Sequence, residues 1–292
     1  MKNEELREFL TSRRARVTPD QAGLPTYGGN RRVPGLRREE VAILSGISVE
    51  YYTRLERGNA AGVSESVVEG LSRALQLDEA ERAHLADLVR TTNTRRAPRR
   101  RAVNTVRAVV QQVLDSMTDA PAFVLNQRLD VLAANELGRA LYAPMFGGPR
   151  DRVNHARFVF LDPASHDFWG NWDKAAKDTA AILRAAAGRD PYDRRLSDLV
   201  GELSTRSEEF RVRWAAHDVK FHHTGVKHIH HPLVGDLTLA FESLQVSADA
   251  GQTLLVYSAE PGTASREALN LLASWTTTAY QEQPDVGAGR TT

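Results

Sequence analysis

The sequence predicts an all-α domain of five helices followed by an α+β domain, in which an antiparallel sheet carries helices on one face. Three observations lead to this prediction. The chain has 292 residues, which is enough for two ordinary domains. Every periodic apolar pattern in roughly the first ninety residues has helical spacing. After a break in composition, strand-like and helical patterns occur in separate blocks, as they do in α+β folds.

The five helices of the first domain follow from their apolar stripes and their start signals. Ser64 is a good N-cap for the fourth helix, and acidic residues at 78–81 favour the first turn of the fifth. The loop from Pro19 to Gly35 is unusually long, and such loops are mostly functional or disordered. The stripes are Leu6, Phe9 and Leu10; Val41, Leu44 and Ile47; Tyr52 and Leu55; Val67, Val68, Leu71 and Leu75; and Leu77, Leu85, Leu88 and Val89.

The break in composition lies at five arginines around Pro98, in the stretch TNTRRAPRRRAVN. Lys and Arg outnumber Asp and Glu by five in residues 1–101, and the balance reverses by four in the remainder. The first part of the chain is therefore the one expected to bind a polyanion. We predict a first domain at 1–95, a basic linker at 96–102, a second domain at 103–280 and a disordered tail at 281–292.

Several functional classes are disfavoured by what the sequence lacks. It has no cysteine, which excludes disulfides, thiolate metal sites and a cysteine nucleophile. No apolar stretch is long enough to span a membrane and no signal peptide is present, so we expect a cytoplasmic protein without membrane association. The patterns GxSxG, GxGxxG and GxxxxGK are missing, so neither an enzyme nor a bound cofactor is predicted.

The histidine-rich run HDVKFHHTGVKHIHHP raises the question of a metal site. His228 and His230 would share one face of a strand. His222 and His223 are adjacent, however, and would point to opposite faces, and Asp218 is the only acidic residue in the run. We therefore favour surface or pocket histidines over a metal site.

The second domain combines strands at both of its ends with a helical middle. In PAFVLNQRLDVLAAN, two short apolar runs joined at Asn126 and Gln127 predict a hairpin. The segment 134–216 is mostly helical, and a last helix is predicted at 265–280. Further strands are predicted at 219–229, 233–244 and 252–257.

The segment GLRREEVAILSGISVEYYTRLERG, residues 35–58, meets the requirements of a helix-turn-helix that reads DNA. Gly46 can adopt a positive φ in the turn, and Ser48 is a good N-cap for the second helix. Tyr52 and Leu55 face back to the core, which leaves the opposite face of the second helix for the major groove. A helical hairpin with an ordinary surface is the alternative, but the positive charge of this half of the chain favours DNA.

The same segment resembles the Xre-type, lambda-repressor-like helix-turn-helix family across GLRREEVAILSGIS and YYTRLERG. The resemblance implies that residues 49–51 enter the groove, that Arg57 contacts phosphate, and that Arg38 braces phosphate and base. Glu50 either accepts from a cytosine amino group or pairs with Arg54 and directs it toward a guanine, and we favour the pairing. The predicted DNA-binding residues are Arg38, Ser48, Val49, Glu50, Tyr51, Arg54 and Arg57.

The second domain is rich in aromatic residues, and a few polar groups among them would make a small-molecule pocket. Arg184 or Lys227 beside aromatic walls would suit an amphipathic acid, with its chain buried and its carboxylate paired. Arg184 could instead form a surface ion pair with Asp190 or Glu202. The predicted ligand-binding residues are Asn135, Phe160, Trp172, Arg184, Phe210, Trp214, His217, Lys227 and His231.

From about Val106 to Trp275 the chain resembles the MmyB-like ligand-binding domain family. The resemblance rests on LDVLAAN, FLDP, the run from Trp172 to Val219, and GVKHIHHPLVGDLTLAFESL. It implies a PAS-like sheet with helices around a cavity and, as in some members, a fatty-acid-like ligand. His217, Lys227 and His231 fall on positions typical of the family.

These observations predict a bacterial transcriptional regulator. We expect a homodimer that binds a two-fold-related operator in double-stranded DNA, and a hydrophobic or amphipathic ligand that changes the affinity for DNA. In the alternative, the second domain is a ligand-free module for protein interaction or dimerisation. An enzyme with an attached DNA-binding domain is the least favoured possibility.

Overall fold

The computed structural model describes residues 2–24, 33–93, 105–147, 153–220 and 223–281. Their packing divides the chain into two compact units. The first unit contains the described residues of 1–100 and 177–221, and the second contains those of 101–176 and 222–292. The predicted linker at 96–102, and all but the first residue of the predicted tail at 281–292, lie outside the described residues.

The first unit begins with five helices, as the sequence predicts. Their apolar stripes meet in one core, in which Leu10, Tyr52 and Leu85 are completely buried. Two of the helices start at a serine cap, because Ser48 and Ser64 accept hydrogen bonds from the backbone N–H groups three residues later. The helices are α1 (Lys2–Arg16), α2 (Arg38–Ser45), α3 (Val49–Glu56), α4 (Glu65–Ala74) and α5 (Glu79–Asn93).

The first unit also contains residues that are distant in sequence from these helices. It includes α11 (Trp172–Arg189) from residue 177 onward, α12 (Arg194–Arg206), α13 (Glu208–Ala215) and the residues that follow. Val219 belongs to the same buried cluster as the five-helix core. A compact unit is not the same as a sequence domain, so the predicted domain boundaries stay a prediction.

The second unit is built on a five-stranded antiparallel sheet with the order β2-β1-β5-β4-β3. It confirms the α+β class and the predicted hairpin. The strands are β1 (Ala122–Asn126), β2 (Val131–Ala134), β3 (Thr224–His231), β4 (Gly235–Gln245) and β5 (Gln252–Ser258). The helices are α6 (Ala108–Ser116), α7 (Glu136–Leu141), α8 (Ala143–Phe146), α9 (His155–Leu161), α10 (Ala164–Phe168) and α14 (Ala264–Gln281).

The two faces of the sheet have different surroundings. Phe123 and Tyr257 lie on one face, where they form edge-to-face contacts with each other. Val124 on the other face packs with Leu114 of α6, a helix that the sequence patterns did not reveal.

One strand boundary corrects the prediction. The strand predicted at 219–229 begins only at Thr224 and extends to His231. The early start was wrong because Val219 is buried in the core formed by the helices of the first unit.

Candidate functional site

The α2–α3 pair has the geometry that its sequence predicts for a helix-turn-helix. Gly46 takes a φ of 72° in the turn, where a residue with a Cβ would be strained. The Ser48 side chain accepts a hydrogen bond of 3.1 Å from the Tyr51 N–H and so begins α3. Tyr52 and Leu55 are buried and fix the inner face of the helix. The opposite face of α3 is therefore held outward by the core.

The outward face of α3 borders an open cleft of about 520 Å³. This cleft brings together most of the residues that the sequence nominates for DNA. It also contains Thr53 and Asn59, which the sequence analysis missed, although Thr53 lies one turn after Val49 and its helical spacing could have revealed it. The lining residues are Val49, Glu50, Thr53, Arg54, Arg57 and Asn59.

Arg54 makes different contacts from those expected. Its guanidinium carbon lies 4.6 Å from the centre of the Tyr51 ring, in a cation–π arrangement. It also donates to the Ala61 carbonyl at 3.5 Å. The expected ion pair with Glu50 is not formed, so the structure gives no support to the explanation that we favoured for Glu50.

Glu56, at the end of α3, is a buried carboxylate that the sequence analysis did not single out. Its two oxygens accept from Arg14 of α1, at 2.6 Å, and from Arg38 of α2. Burial raises the pKa of Tyr52, and the neighbouring Glu56 charge raises it further. Glu56 therefore links α1, α2 and α3. It accepts from the Nε of Arg38, whose side chain remains about half exposed. No local pattern could reveal this, since the partners are 42 and 18 residues away.

In the second unit, the predicted ligand residue Lys227 of β3 is a buried lysine with aromatic rings around its ammonium group. Its side chain is 7% exposed, and its ammonium nitrogen lies 5.3 Å from the Trp169 ring centre and 5.4 Å from that of Phe241. His155 lies against Trp169, with the ring centres 5.7 Å apart. Burial lowers the pKa of His155 to about 3, with a further contribution from the Lys227 charge.

Trp169 completes this group, although the sequence analysis did not nominate it for the ligand. Its indole Nε1 is buried, and no residue of the described chain accepts a hydrogen bond from it. A donor of this kind is costly to bury without an acceptor. Lys227, Trp169, His155 and Phe241 therefore form a buried, positively charged and aromatic group, which we call the Lys227 cluster.

Four other predicted ligand residues of the second unit, Asn135, Phe160, Trp172 and His231, make contacts that stabilise the fold. The Asn135 side chain caps α7 and bonds to Ala122 N and two carbonyls. His231 accepts from Leu233 N at Nδ1, so its Nε2 carries the proton toward the Ala140 carbonyl, 3.0 Å away. Trp172 donates to Val159 O and packs edge-on against Phe160.

The remaining four nominated residues, Arg184, Phe210, Trp214 and His217, belong to the first unit. The Arg184 guanidinium lies 3.7 Å from the Trp214 ring centre, and the Phe210 ring stacks on the same indole. Burial lowers the pKa of Arg184 to about 10. The alternative ion pairs of Arg184 with Asp190 or Glu202 are not formed. The structure therefore divides the nine nominated residues into two sets.

Two features are absent from the residues that the structure describes. No helix there is long and apolar enough to cross a membrane. No group of three or more His, Cys, Asp or Glu side chains in those ranges could hold a metal ion. His228 and His230, on the exposed side of β3, bond instead to Thr238 and Asp236.

Comparison with known families assigns both parts of the chain. Residues 106–272 match the model of the MmyB-like transcription regulator ligand binding domain. Residues 5–85 match the model of a helix-turn-helix domain. A search of curated proteins found no significant match.

Proposed function

The chain belongs to the MmyB-like transcription regulators, with a helix-turn-helix domain ahead of the ligand-binding domain, and we propose that its ligand is an amphipathic carboxylic acid of the fatty-acid type. The protein is a ligand-responsive, DNA-binding regulator.

For DNA, we propose that α3 lies in the major groove. The proposal is supported by the outward face of α3, where residues 49–51 and Arg54 stand at its N-terminal and middle turns. Arg57 follows at its C-cap and is free to approach phosphate. Arg38, held by Glu56, is placed to contact the backbone from the head of α2. Because such operators are two-fold related, we propose a homodimer.

For the ligand, the observation that carries the proposal is the Lys227 cluster. The buried ammonium of Lys227 favours an anionic group beside it, and a carboxylate can accept charge-assisted hydrogen bonds from it. The indole N–H of Trp169 offers a second donor to the same headgroup. The aromatic rings around these donors favour an apolar chain. An amphipathic acid meets all of these requirements, whereas a neutral apolar molecule would give the Trp169 indole N–H no acceptor.

The test compares dodecanoate with dodecanol on delipidated full-length protein, by titration calorimetry. We expect dodecanoate to bind the wild type, and Lys227→Met to weaken it about 10- to 100-fold, as the loss of one charge-assisted hydrogen bond implies. Dodecanol should bind more weakly and respond little to the substitution. Lys174→Met, at an exposed lysine of α11, is the matched control and should behave as the wild type.

Two results would contradict the carboxylate proposal. One is equal binding of the acid and the alcohol, and the other is an equal effect of the two lysine substitutions. If neither probe binds and native mass spectrometry of fresh protein shows no co-purified small molecule, the ligand-free interaction module becomes the better explanation.

A further inference from the structure

Residues 216–218, which follow α13, make a set of polar contacts with α1. The Arg16 guanidinium donates to the Ala216 carbonyl at 2.8 Å and pairs with Asp218 at 2.6 Å. Arg13 donates to the His217 carbonyl, and its NH1 lies 3.7 Å from Asp218 Oδ1. These residues all belong to the first unit, but 216–219 come from the part of the chain that matches the ligand-binding family.

This contact is buried and specific rather than a loose surface encounter. Arg13 is 2% exposed and also pairs with Glu81 of α5 at 3.1 Å. Val219 is buried in the core formed by the five helices. Burial alone would raise the pKa of Asp218, but the hydrogen bond and charge of Arg16 lower it below its usual range. The carboxylate is therefore stabilised in its charged form mainly by Arg16 of α1, with a smaller contribution from Lys177 of α11, 3.7 Å away.

The backbone of the contacting segment is held in an unfavourable conformation. His217 has a φ of 54°, in the left-handed region that non-glycine residues seldom occupy. The His217 carbonyl accepts a hydrogen bond from Arg13, and the His217 Nε2 lies 3.2 Å from Glu8 Oε2. Such a conformation persists where surrounding contacts hold it, and switch segments are among the places where it recurs. Loss of the α1 contacts would therefore release residues 216–219.

The opposite side of the same α1 turn holds the DNA-reading helix. Arg14, adjacent to Arg13, donates to Glu56 at the end of α3 at 2.6 Å and to the Leu36 carbonyl at 3.0 Å. Gly35 packs so closely on the Arg14 and Ala15 backbone that a side chain would not fit there. One helical turn thus contacts residues 216–218 through Arg13 and Arg16, and both Leu36, which precedes α2, and the end of α3 through Arg14.

We propose that residues 216–219 are a latch on α1, through which the ligand-binding part of the chain sets the position of the reading helix α3. When the latch is engaged, α1 is anchored and Arg14 holds Glu56, and with it Arg38, in place for DNA. When a ligand changes the path of residues 216–219, the anchor is lost and the affinity for DNA falls. The proposal rests on the DNA-reading role of α3 but not on the identity of the ligand.

The test uses the full chain without any ligand. A duplex is first selected from a random library by the wild type, and its Kd is then measured for Asp218→Asn. We expect the Kd to rise about 5-fold, at the lower end of allosteric couplings. The matched control is Glu209→Gln, which loses an exposed ion pair with Arg213 inside α13, and its Kd should stay within about 2-fold of the wild type.

Amide hydrogen exchange separates a positioning role from general destabilisation. In Asp218→Asn, the amides of α3 should exchange faster while those of α4 stay as in the wild type. Arg16→Gln, at a side chain that is about half exposed, should reproduce both effects, and the double variant should be no weaker than Asp218→Asn alone.

An unchanged or lower Kd in Asp218→Asn, or an equal loss in the Glu209 control, would overturn the latch. If the wild type selects no duplex, the DNA-reading proposal fails on its own, and the latch is then decided by exchange: unaltered protection of α3 in Asp218→Asn would refute it.

Discussion

Glu56 offers the sharpest test of how the helix-turn-helix is held together. Glu56→Gln keeps the size of the side chain but removes the charge that two arginines share. Glu56 is 3% exposed and Arg14 is 14% exposed, so the pair between them is buried, whereas Arg38 is about half exposed and can turn to water. The main loss is therefore one largely buried ion pair, with the partly buried Arg14 guanidinium left without its counter-charge.

Breaking a buried pair costs about 3–5 kcal/mol when one partner is deleted. Gln retains one acceptor oxygen, so we expect the free energy of unfolding to fall by about 2–3 kcal/mol. With a urea m-value of roughly 1–3 kcal/mol/M, the midpoint of the first unit should fall by about 1 M or more. The assay is urea unfolding followed by circular dichroism at 222 nm, which the helices of this unit dominate.

The matched control is Glu69→Gln, which removes an exposed ion pair with Arg82 on the same domain. Such pairs contribute about 0–1 kcal/mol, so its midpoint should hardly move. Equal midpoints for Glu56→Gln and Glu69→Gln would refute the claim that Glu56 stabilises the first unit by linking α1, α2 and α3.

Three further predictions follow from single positions. Burial lowers the pKa of His84 and His155 to about 3, so below pH 6.5 the folded state binds fewer protons than the unfolded state. The free energy of unfolding should therefore fall as the pH is lowered, by about 1.4 kcal/mol per pH unit for each histidine. The measurement is the free energy of unfolding at pH 7 and at pH 5. Gly188→Ala should lower the free energy of unfolding by about 1–3 kcal/mol, because the added methyl group would overlap the His84 ring. Gly201→Ala, which has open space around the new methyl group, should raise it by up to about 1 kcal/mol, and thermal unfolding of both variants measures the difference. Arg57→Ala should weaken binding to the selected duplex similarly for all sequences and reduce the slope of log Kd against log salt by about 1, and an unchanged slope would remove Arg57 from the phosphate contacts.

The sequence was sufficient wherever the determining interactions are local. The turn at Gly46, the cap at Ser48 and the inward positions of Tyr52 and Leu55 are all readable within one helical turn, and the structure has each of them as predicted. The same holds for the hairpin of β1 and β2 and for the antiparallel class of the sheet, since alternating apolar residues and turn signals are short-range patterns.

Tertiary structure decided what depends on partners far apart in the chain. Glu56 reads as one more polar residue on α3, yet packing buries it between Arg14 and Arg38. Val219 reads as the start of a strand, yet it fills a helical core more than a hundred residues earlier in the sequence. The role of a buried charge or of an apolar side chain depends on the residues that surround it. Periodicity shows which face of a helix or strand is buried, but not which other element packs against that face. The reading helix could therefore be predicted from its own residues, whereas the contacts that hold it in place could not.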